Sequence, residues 1–315
     1  MARVFIDGQA GTTGLEISGR LCARADIELL EIAASARKDN AARAQLMAAA
    51  DVVILCLPDA AAREAVAIAG DDCRILDAST AHRIESGWTY GLPELQPQQR
   101  DAIVRAHRVS NPGCYPQGFI LLVKPLIDEG LLSPQVPLSV FGISGYSGGG
   151  RALIEKYTDF PAQQAEACNT RPYALGLHHK HVPEMHRYSG TAAAPLFSPV
   201  VGNYYRGMLI EVPLFFSQLR QHTDLATLHE VLSERYAQEK FVDVLPLDCK
   251  AMLDDGFLST TECNNSNRLQ LMLFGHEEHV LLVARYDNLG KGAAGSAVQN
   301  LNIMLGVEES LGLQI

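Results

Sequence analysis

Cys114 sits in the string SNPGCYPQGF, between a strand-like Arg108–Ser110 and the start of a helix. A helix N-terminus leaves backbone N–H groups without partners, and these favour a negatively charged sulfur. Pro112, Gly113 and Pro116 stiffen the loop that presents the thiol. This chemistry is that of a thiolate nucleophile, which can form a covalent acyl intermediate. The remaining cysteines, at 22, 56, 73, 168, 249 and 263, lie in apolar or unremarkable contexts and read as core or inert thiols. A nucleophile needs a base, and HHKHVPEMH, residues 178–186, is the densest ionisable cluster. Read as an extended segment, it puts His179 and His181 on one face. Glu184, after Pro183, is placed to orient an imidazole. Acid–base work is the first expectation. A zinc site is its rival, since two histidines and a carboxylate can bind the ion, although the helical H-E-x-x-H spacing is missing. A solvated polar loop is the third.

Gly8, Gly11 and Gly14 follow the first strand in the spacing G-x-x-G-x-x-G. Glycine there tightens a turn and lets backbone N–H groups approach a pyrophosphate at a helix N-terminus. The second strand ends not in an acidic residue but in ASARKDN. Ser35, Arg37 and Lys38 suit a 2′-phosphate, hence NADP, through charge-assisted hydrogen bonds; a solvated turn is the alternative. GYSGGGR, residues 145–151, lacks the G-K-[ST] ending of a nucleotide-hydrolysing loop. It either receives an anionic substrate group through its N–H groups and Arg151 or is a flexible loop before a helix.

These residues require particular elements to hold them. Ala2–Asp7, Ile27–Ala34, Asp51–Leu57 and Arg74–Asp77 read as strands. They alternate with helices to about Ala23, over Asn40–Ala50 and over Ala60–Ala69. That alternation signals an α/β, Rossmann-type doubly wound parallel sheet. After about residue 112 the pattern changes. Helices are expected over Pro116–Glu129, Arg151–Tyr157 and Asp224–Lys240, with strands at Leu138–Ile143, through Tyr173–Pro213, and at Arg268–Phe274 and Val280–Tyr286. This is an α+β domain with a mixed or antiparallel sheet. A last helix, Gly295–Leu311, is of a kind that commonly returns to the first domain. The expected organisation is a nucleotide-binding domain over 1–113, completed by 291–315, and a catalytic and oligomerisation domain over 114–290.

The chain has 315 residues and a formal net charge of −10, which argues against nucleic acid or an anionic membrane as the main partner. Small anions must then be met locally, by Arg37, Lys38, Arg83, Arg151 and helix N-termini. An odd cysteine count without a CxxC pair points to a reducing compartment. No apolar run approaches the ~18 residues of a membrane span. MARVFIDG carries no signal-peptide pattern, so a cytoplasmic location is expected.

A thiol nucleophile, a histidine base and a dinucleotide fold together suggest an aldehyde-forming dehydrogenase that works through a thioester. The chain closely resembles the N-acetyl-gamma-glutamyl-phosphate reductase family, in its shorter subfamily. The resemblance runs through GQAGTTG, CLPDAAA, LDASTAHR, YGLPEL, NPGCYP, SGYSGGGR, HHKHVPE, FSPVVGNYYRGM and DNLGKGAAGSAVQNLN. Aspartate-semialdehyde dehydrogenase is a similar family that shares the architecture. The resemblance implies Cys114 as nucleophile and His179, His181 and Glu184 as its acid–base group, without deciding between the histidines. It implies Asn111 and the Cys114 N–H as oxyanion donors, and substrate contacts from Ser79, Arg83, Ser147 and Arg151. Cofactor contacts are implied for Gly8, Gly11, Thr12, Thr13, Gly14, Ser35, Arg37, Lys38, Pro58 and Asn288. The implied ligands are NADPH and N-acetyl-gamma-glutamyl phosphate, with no metal, in a homo-oligomer (dimer or tetramer). Gln117 departs from the threonine the family commonly has after NPGCYP. Two other classes compete: a semialdehyde dehydrogenase for a different acyl phosphate, and a non-catalytic NADP-binding regulator.

Overall fold

The computed structural model describes residues 1–158, 169–248 and 252–315. Cys168 and Cys249 lie outside the described residues. The chain divides into two compact units, one of Met1–Pro112 with Ala293–Gln314, the other of Gly113–Gly292.

The first unit carries a parallel six-stranded sheet. Its strands are β1 (Ala2–Asp7), β2 (Ile27–Leu30), β3 (Val52–Leu55), β4 (Ile75–Asp77), β5 (Thr89–Tyr90) and β6 (Arg108–Ser110), in the order β2-β1-β3-β4-β6-β5. Between them run α1 (Thr12–Leu21), α2 (Asn40–Ala49), α3 (Asp59–Ala69) and α4 (Gln99–Arg105). Strand periodicity explains the double winding, because alternate side chains leave opposite faces of the sheet. Val4, Ile6, Val52 and Ile54 join one apolar core with Ile17 of α1, Ile103 of α4 and the final helix. Phe5, Val53 and Leu55 join another with Met47 of α2 and Ala62 and Ala65 of α3. That final helix, α9 (Gly295–Leu305), supplies Ala297, Val298, Leu301, Ile303 and Met304 to the first of these cores.

The second unit carries a mixed seven-stranded sheet, ordered β11-β12-β13-β10-β7-β9-β8. Its strands are β7 (Ser139–Gly145), β8 (Thr170–Pro172), β9 (Leu196–Gly202), β10 (Met208–Phe215), β11 (Val242–Val244), β12 (Leu269–Gly275) and β13 (His279–Tyr286). Helix α5 (Cys114–Asp128) is buried continuously from Tyr115 to Val123, nine of its first ten residues. It packs on β10 and β13 of the sheet, and against α7 (Val182–Ser189) and α8 (Leu225–Tyr236). The helix α6 (Gly150–Thr158) follows the glycine loop.

Three expectations from the sequence are corrected. The stretch Tyr173–Pro213 is not strand throughout, because α7 interrupts it. Pro183 marks the reason: near a helix start its preset φ fits and its missing N–H costs no hydrogen bond. The segment 178–186 is therefore not extended, and His181 is the N-cap of α7. The second strand ends at Leu30 rather than Ala34, and the last helix ends at Leu305 rather than Leu311. Gly306, at φ 71°, supplies the left-handed stop.

Candidate active site

Cys114 is the first residue of α5, and the N-cap Gly113 offers no side-chain cap to the helix. The third helical residue is Pro116, so Cys114 and Tyr115 carry the N–H groups of the first turn, for which the helix itself supplies no acceptor. What fixes this turn is a set of contacts from distant parts of the second unit. The Gly113 N–H donates to Glu184 Oε2 at 2.9 Å, and both groups are buried. The Tyr286 hydroxyl donates to the Cys114 carbonyl at 2.5 Å and accepts from the Gly118 N–H at 3.1 Å. Burial, with Cys114 adding to it, holds the Tyr286 phenol well above its ordinary range, so it remains a donor. Gln117 Nε2 donates to Lys291 O at 2.9 Å and to Gly113 O at 3.4 Å. A Cβ on Gly292 would stand 3.1 Å from Cys114 Cβ.

The histidines lie beside this turn. The rings of His179 and His181 are 4.8 Å apart between centroids, and each is 5.9 Å from the Tyr115 ring. Hydrogen bonding settles the His179 tautomer. The His181 backbone N–H donates to His179 Nδ1 at 3.2 Å, which leaves the proton on Nε2. Nε2 faces the Tyr173 hydroxyl at 3.4 Å, and that hydroxyl donates to Tyr115 Oη at 3.4 Å. Tyr115 in turn donates to Val200 O at 3.4 Å. The four bonds point in one direction and polarise one another. Burial, helped by the Lys180 charge, lowers the His179 pKa to about 4, so it is a neutral imidazole at working pH. Burial also pushes the Tyr173 phenol up to about 12. His181 is 5% exposed and Glu184 1%.

In the first unit, α1 begins at Gly11 with no side-chain cap, leaving its first-turn N–H groups open to an anion. The three glycines have different reasons to be glycine. Gly8 has φ +89°, and a Cβ there would meet Cys56 O at 2.4 Å. A Cβ on Gly14 would meet Gly8 O at 2.7 Å. Gly11 is exposed, and its Cβ would come no nearer than 3.5 Å to the protein. Gly8 thus lets the turn pass close to the chain after β3 and Gly14 lets α1 close on the turn, whereas Gly11 leaves the backbone bare on its outer side, as a bound pyrophosphate requires. Thr12 and Thr13 are half-buried in the same turn. Ser35, Arg37 and Lys38 are exposed beyond β2, and exposed Pro58 caps α3. A nicotinamide dinucleotide fits this set: bare N–H groups for the pyrophosphate and free basic side chains beyond β2.

The other expected residues are held by the following contacts. Ser79 is turned onto Asp77, donating from its backbone N–H (2.9 Å) and its hydroxyl (2.7 Å). His82 Nδ1 lies 2.7 Å from the same carboxylate, and Arg83 Nη2 donates to Ala78 O at 3.2 Å. Asn111 uses both amide atoms within the first unit, donating to Ala293 O and accepting from Asn300, each at 3.1 Å. Asn288, in the second unit, accepts from the Gly207 N–H at 2.8 Å and donates to Ser147 Oγ at 2.9 Å. The Arg151 side chain is 83% exposed and pairs with Glu155 one turn along α6. Burial, aided by Asp77 and Asp7, pushes the Cys56 thiol up to about 12, and burial lifts Cys263 to about 11. Tyr173 and Tyr286 were not singled out from sequence, and Gly292 only as part of the Lys291–Gly295 stretch that resembles the family's nicotinamide segment. Only folding brings them to Cys114.

Residues 114–288 match the family model for the semialdehyde dehydrogenase dimerisation domain, and residues 39–103 that for the semialdehyde dehydrogenase NAD binding domain. The chain is 52% identical to N-acetyl-gamma-glutamyl-phosphate reductase 2 of Nostoc sp. over 318 residues, 99% of each chain. It is 47% identical to N-acetyl-gamma-glutamyl-phosphate reductase of Brucella suis over 308 residues, 96% of this chain and 99% of that one. Its fold is shared by aspartate semialdehyde dehydrogenase from Francisella tularensis, with TM-score 0.73 and 15% identity across 97% of this chain and 100% of the other. The chain belongs to the N-acetyl-gamma-glutamyl-phosphate reductase family of semialdehyde dehydrogenases.

Proposed function

We propose that this chain reduces N-acetyl-gamma-glutamyl phosphate to N-acetylglutamate semialdehyde and phosphate in arginine biosynthesis, with NADPH as reductant. The observation that carries the reading is the 2.9 Å bond from Gly113 N–H to Glu184, which ties the turn of the thiol to the helix that begins at His181.

The Cys114 sulfur attacks the acyl carbon, the C–O bond to phosphate breaks, and a thioester remains. Sulfur is suited to this step because a thioester accepts hydride where a carboxylate does not, and the thiolate then leaves readily. The N–H groups of Cys114 and Tyr115, in the first turn of α5, are the backbone donors offered to an oxyanion at that carbon. Both are aimed by the Tyr286 and Glu184 contacts at the start of α5. A nicotinamide dinucleotide, held by the turn of Gly8, Gly11 and Gly14, would supply the hydride. His181 takes the thiol proton, gives it to the oxygen that hydride transfer leaves, and takes it back as the C–S bond breaks to release the semialdehyde and the Cys114 thiolate. His179 is the less suitable base, since its Nδ1 accepts the His181 N–H and its pKa is lowered to about 4. It holds the His181 backbone instead. Arg37, Lys38 and Ser35 favour the 2′-phosphate of NADP. The matched dimerisation domain supports a homo-oligomer, a dimer or tetramer. No helix among the described residues is long and apolar enough to cross a membrane, which fits a cytoplasmic enzyme.

The test is the reverse reaction, phosphate-dependent NADP reduction with N-acetylglutamate semialdehyde. Turnover with this aldehyde and not with aspartate semialdehyde supports the reading. The opposite preference assigns the chain to the aspartyl substrate, and binding of NADPH without turnover of either makes it a regulator.

A further inference from the structure

We propose that the β12–β13 hairpin binds one divalent transition-metal ion of the imidazole-preferring class, zinc by its geometry, through His276, Glu278 and His279. The three side chains bring one ligand-type atom each to within 4.8 Å of one another. The site lies apart from the proposed chemistry, since β13 runs seven residues from His279 before it reaches Tyr286.

The hairpin fixes the pair of histidines. The His276 N–H donates to His279 O at 3.0 Å, so the two residues close the ladder as a cross-strand pair around Glu277–Glu278. Residues paired this way project to the same face. The turn is held from outside by the Phe216 N–H, which donates to Glu278 O at 2.9 Å. The Phe215 ring packs against His279, centroid to centroid 4.7 Å. Ligands on a rigid hairpin lose little freedom when an ion binds.

The spacing suits the ion. His276 Nε2 and His279 Nδ1 are 3.1 Å apart. Two imidazoles on one tetrahedral zinc, with Zn–N of about 2.0–2.1 Å, hold their nitrogens about 3.3 Å apart. Glu278 is exposed and free to swing its carboxylate inward as the third ligand, with water as the fourth; exposed Glu277 adds local negative charge. Without an ion, the Glu278 N–H donates to His276 Nδ1 at 3.4 Å, so the His276 proton lies on Nε2 and bridges to His279. Binding moves that proton to Nδ1 and puts the metal in its place. The bond given up is a long one, and two metal–nitrogen bonds replace it.

Zinc titration of the full chain in a Cys114→Ser background, followed calorimetrically with metal content measured after desalting, tests this. That background removes the proposed nucleophile as a competing thiolate. The expected result is one ion per chain, with binding weakened roughly tenfold or more by His279→Ala or Glu278→Gln, as loss of metal-site partners does. Glu277→Gln should have little effect, and Co²⁺ should give a d–d absorption that His276→Gln removes. Absence of binding, or binding indifferent to His279→Ala and Glu278→Gln, overturns the proposal and leaves a hydrogen-bonded histidine pair.

Discussion

The turns before α1 and α5 both deliver a helix N-terminus without a side-chain cap, and they are built in opposite ways. The turn before α1 is made of bare backbone: Gly8 lets it pass close to the chain after β3, Gly14 lets α1 close on it, and Gly11 stays open to solvent. The turn before α5 is held by side chains far away in sequence, Glu184, Tyr286 and Gln117. The first suits a ligand that brings its own charge and needs only N–H groups. The second suits a sulfur atom that must stand at one place while bonds to it form and break. A binding turn can be specified locally; a reacting turn cannot.

Substitutions sharpen that contrast, and the largest effect belongs to the reacting turn. Cys114→Ser should abolish reduction of the acyl phosphate while NADPH still binds, as measured by turnover and nucleotide titration. Near-normal turnover would remove the covalent mechanism. His181→Gln should lower kcat by roughly 10²- to 10⁴-fold, the range for a lost general acid–base group. His179→Gln should cost much less and leave the pH–rate profile in place; equal losses would mean the histidines act as a unit. His179 also bears on stability. Its folded pKa of about 4 lies below the ordinary 6.5, so the unfolded chain binds the extra proton between those values. Stability should be full above about pH 6.5 and fall as pH drops towards 4, and His179→Gln should flatten that slope in denaturant titrations.

Smaller effects separate the parts of each turn. Gly8→Ala should destabilise the fold by on the order of 3 kcal/mol, from its positive φ and the clash with Cys56 O. Gly11→Ala should leave the melting temperature nearly unchanged and weaken nucleotide binding. If both act alike on stability, the division of labour between the glycines is wrong. Gln117→Leu removes the donor to Lys291 O and should lower kcat by roughly tenfold through misplacement of the thiol. Gln117→Glu should be no better, because a carboxylate cannot donate to that carbonyl. Arg37→Ala should raise the KM for NADPH about five- to tenfold with little change for NADH; equal changes would place the 2′-phosphate elsewhere.

The same contrast explains how far the sequence could be read. Strand–turn–helix alternation and the glycine spacing are local signals, so the parallel sheet and the turn after β1 were legible. NPGCYP marked a helix start for the same reason. The histidine segment reads from its alternation as extended, whereas Pro183 starts α7. With that helix comes the Glu184–Gly113 bond, which no spacing rule reveals. Tyr286 lies 172 residues from Cys114 and Lys291 lies 174 from Gln117. Contacts of that separation are set by how α5 packs on β13, and Gly118 permits the approach: a Cβ there would stand 2.9 Å from the Tyr286 hydroxyl. Asn111 and Ser79 illustrate the converse, residues of the right type whose hydrogen bonds turn them towards the body of the first unit.

The central claim is that the acyl group rests on Cys114 before reduction. Mass spectrometry of the enzyme mixed with N-acetyl-gamma-glutamyl phosphate, without NADPH, tests it most directly. The account predicts release of one phosphate per site and one N-acetylglutamyl group on the peptide containing Cys114, discharged to semialdehyde when NADPH is added. Turnover with no acylated Cys114 at any time, or acylation of a different residue, would contradict it.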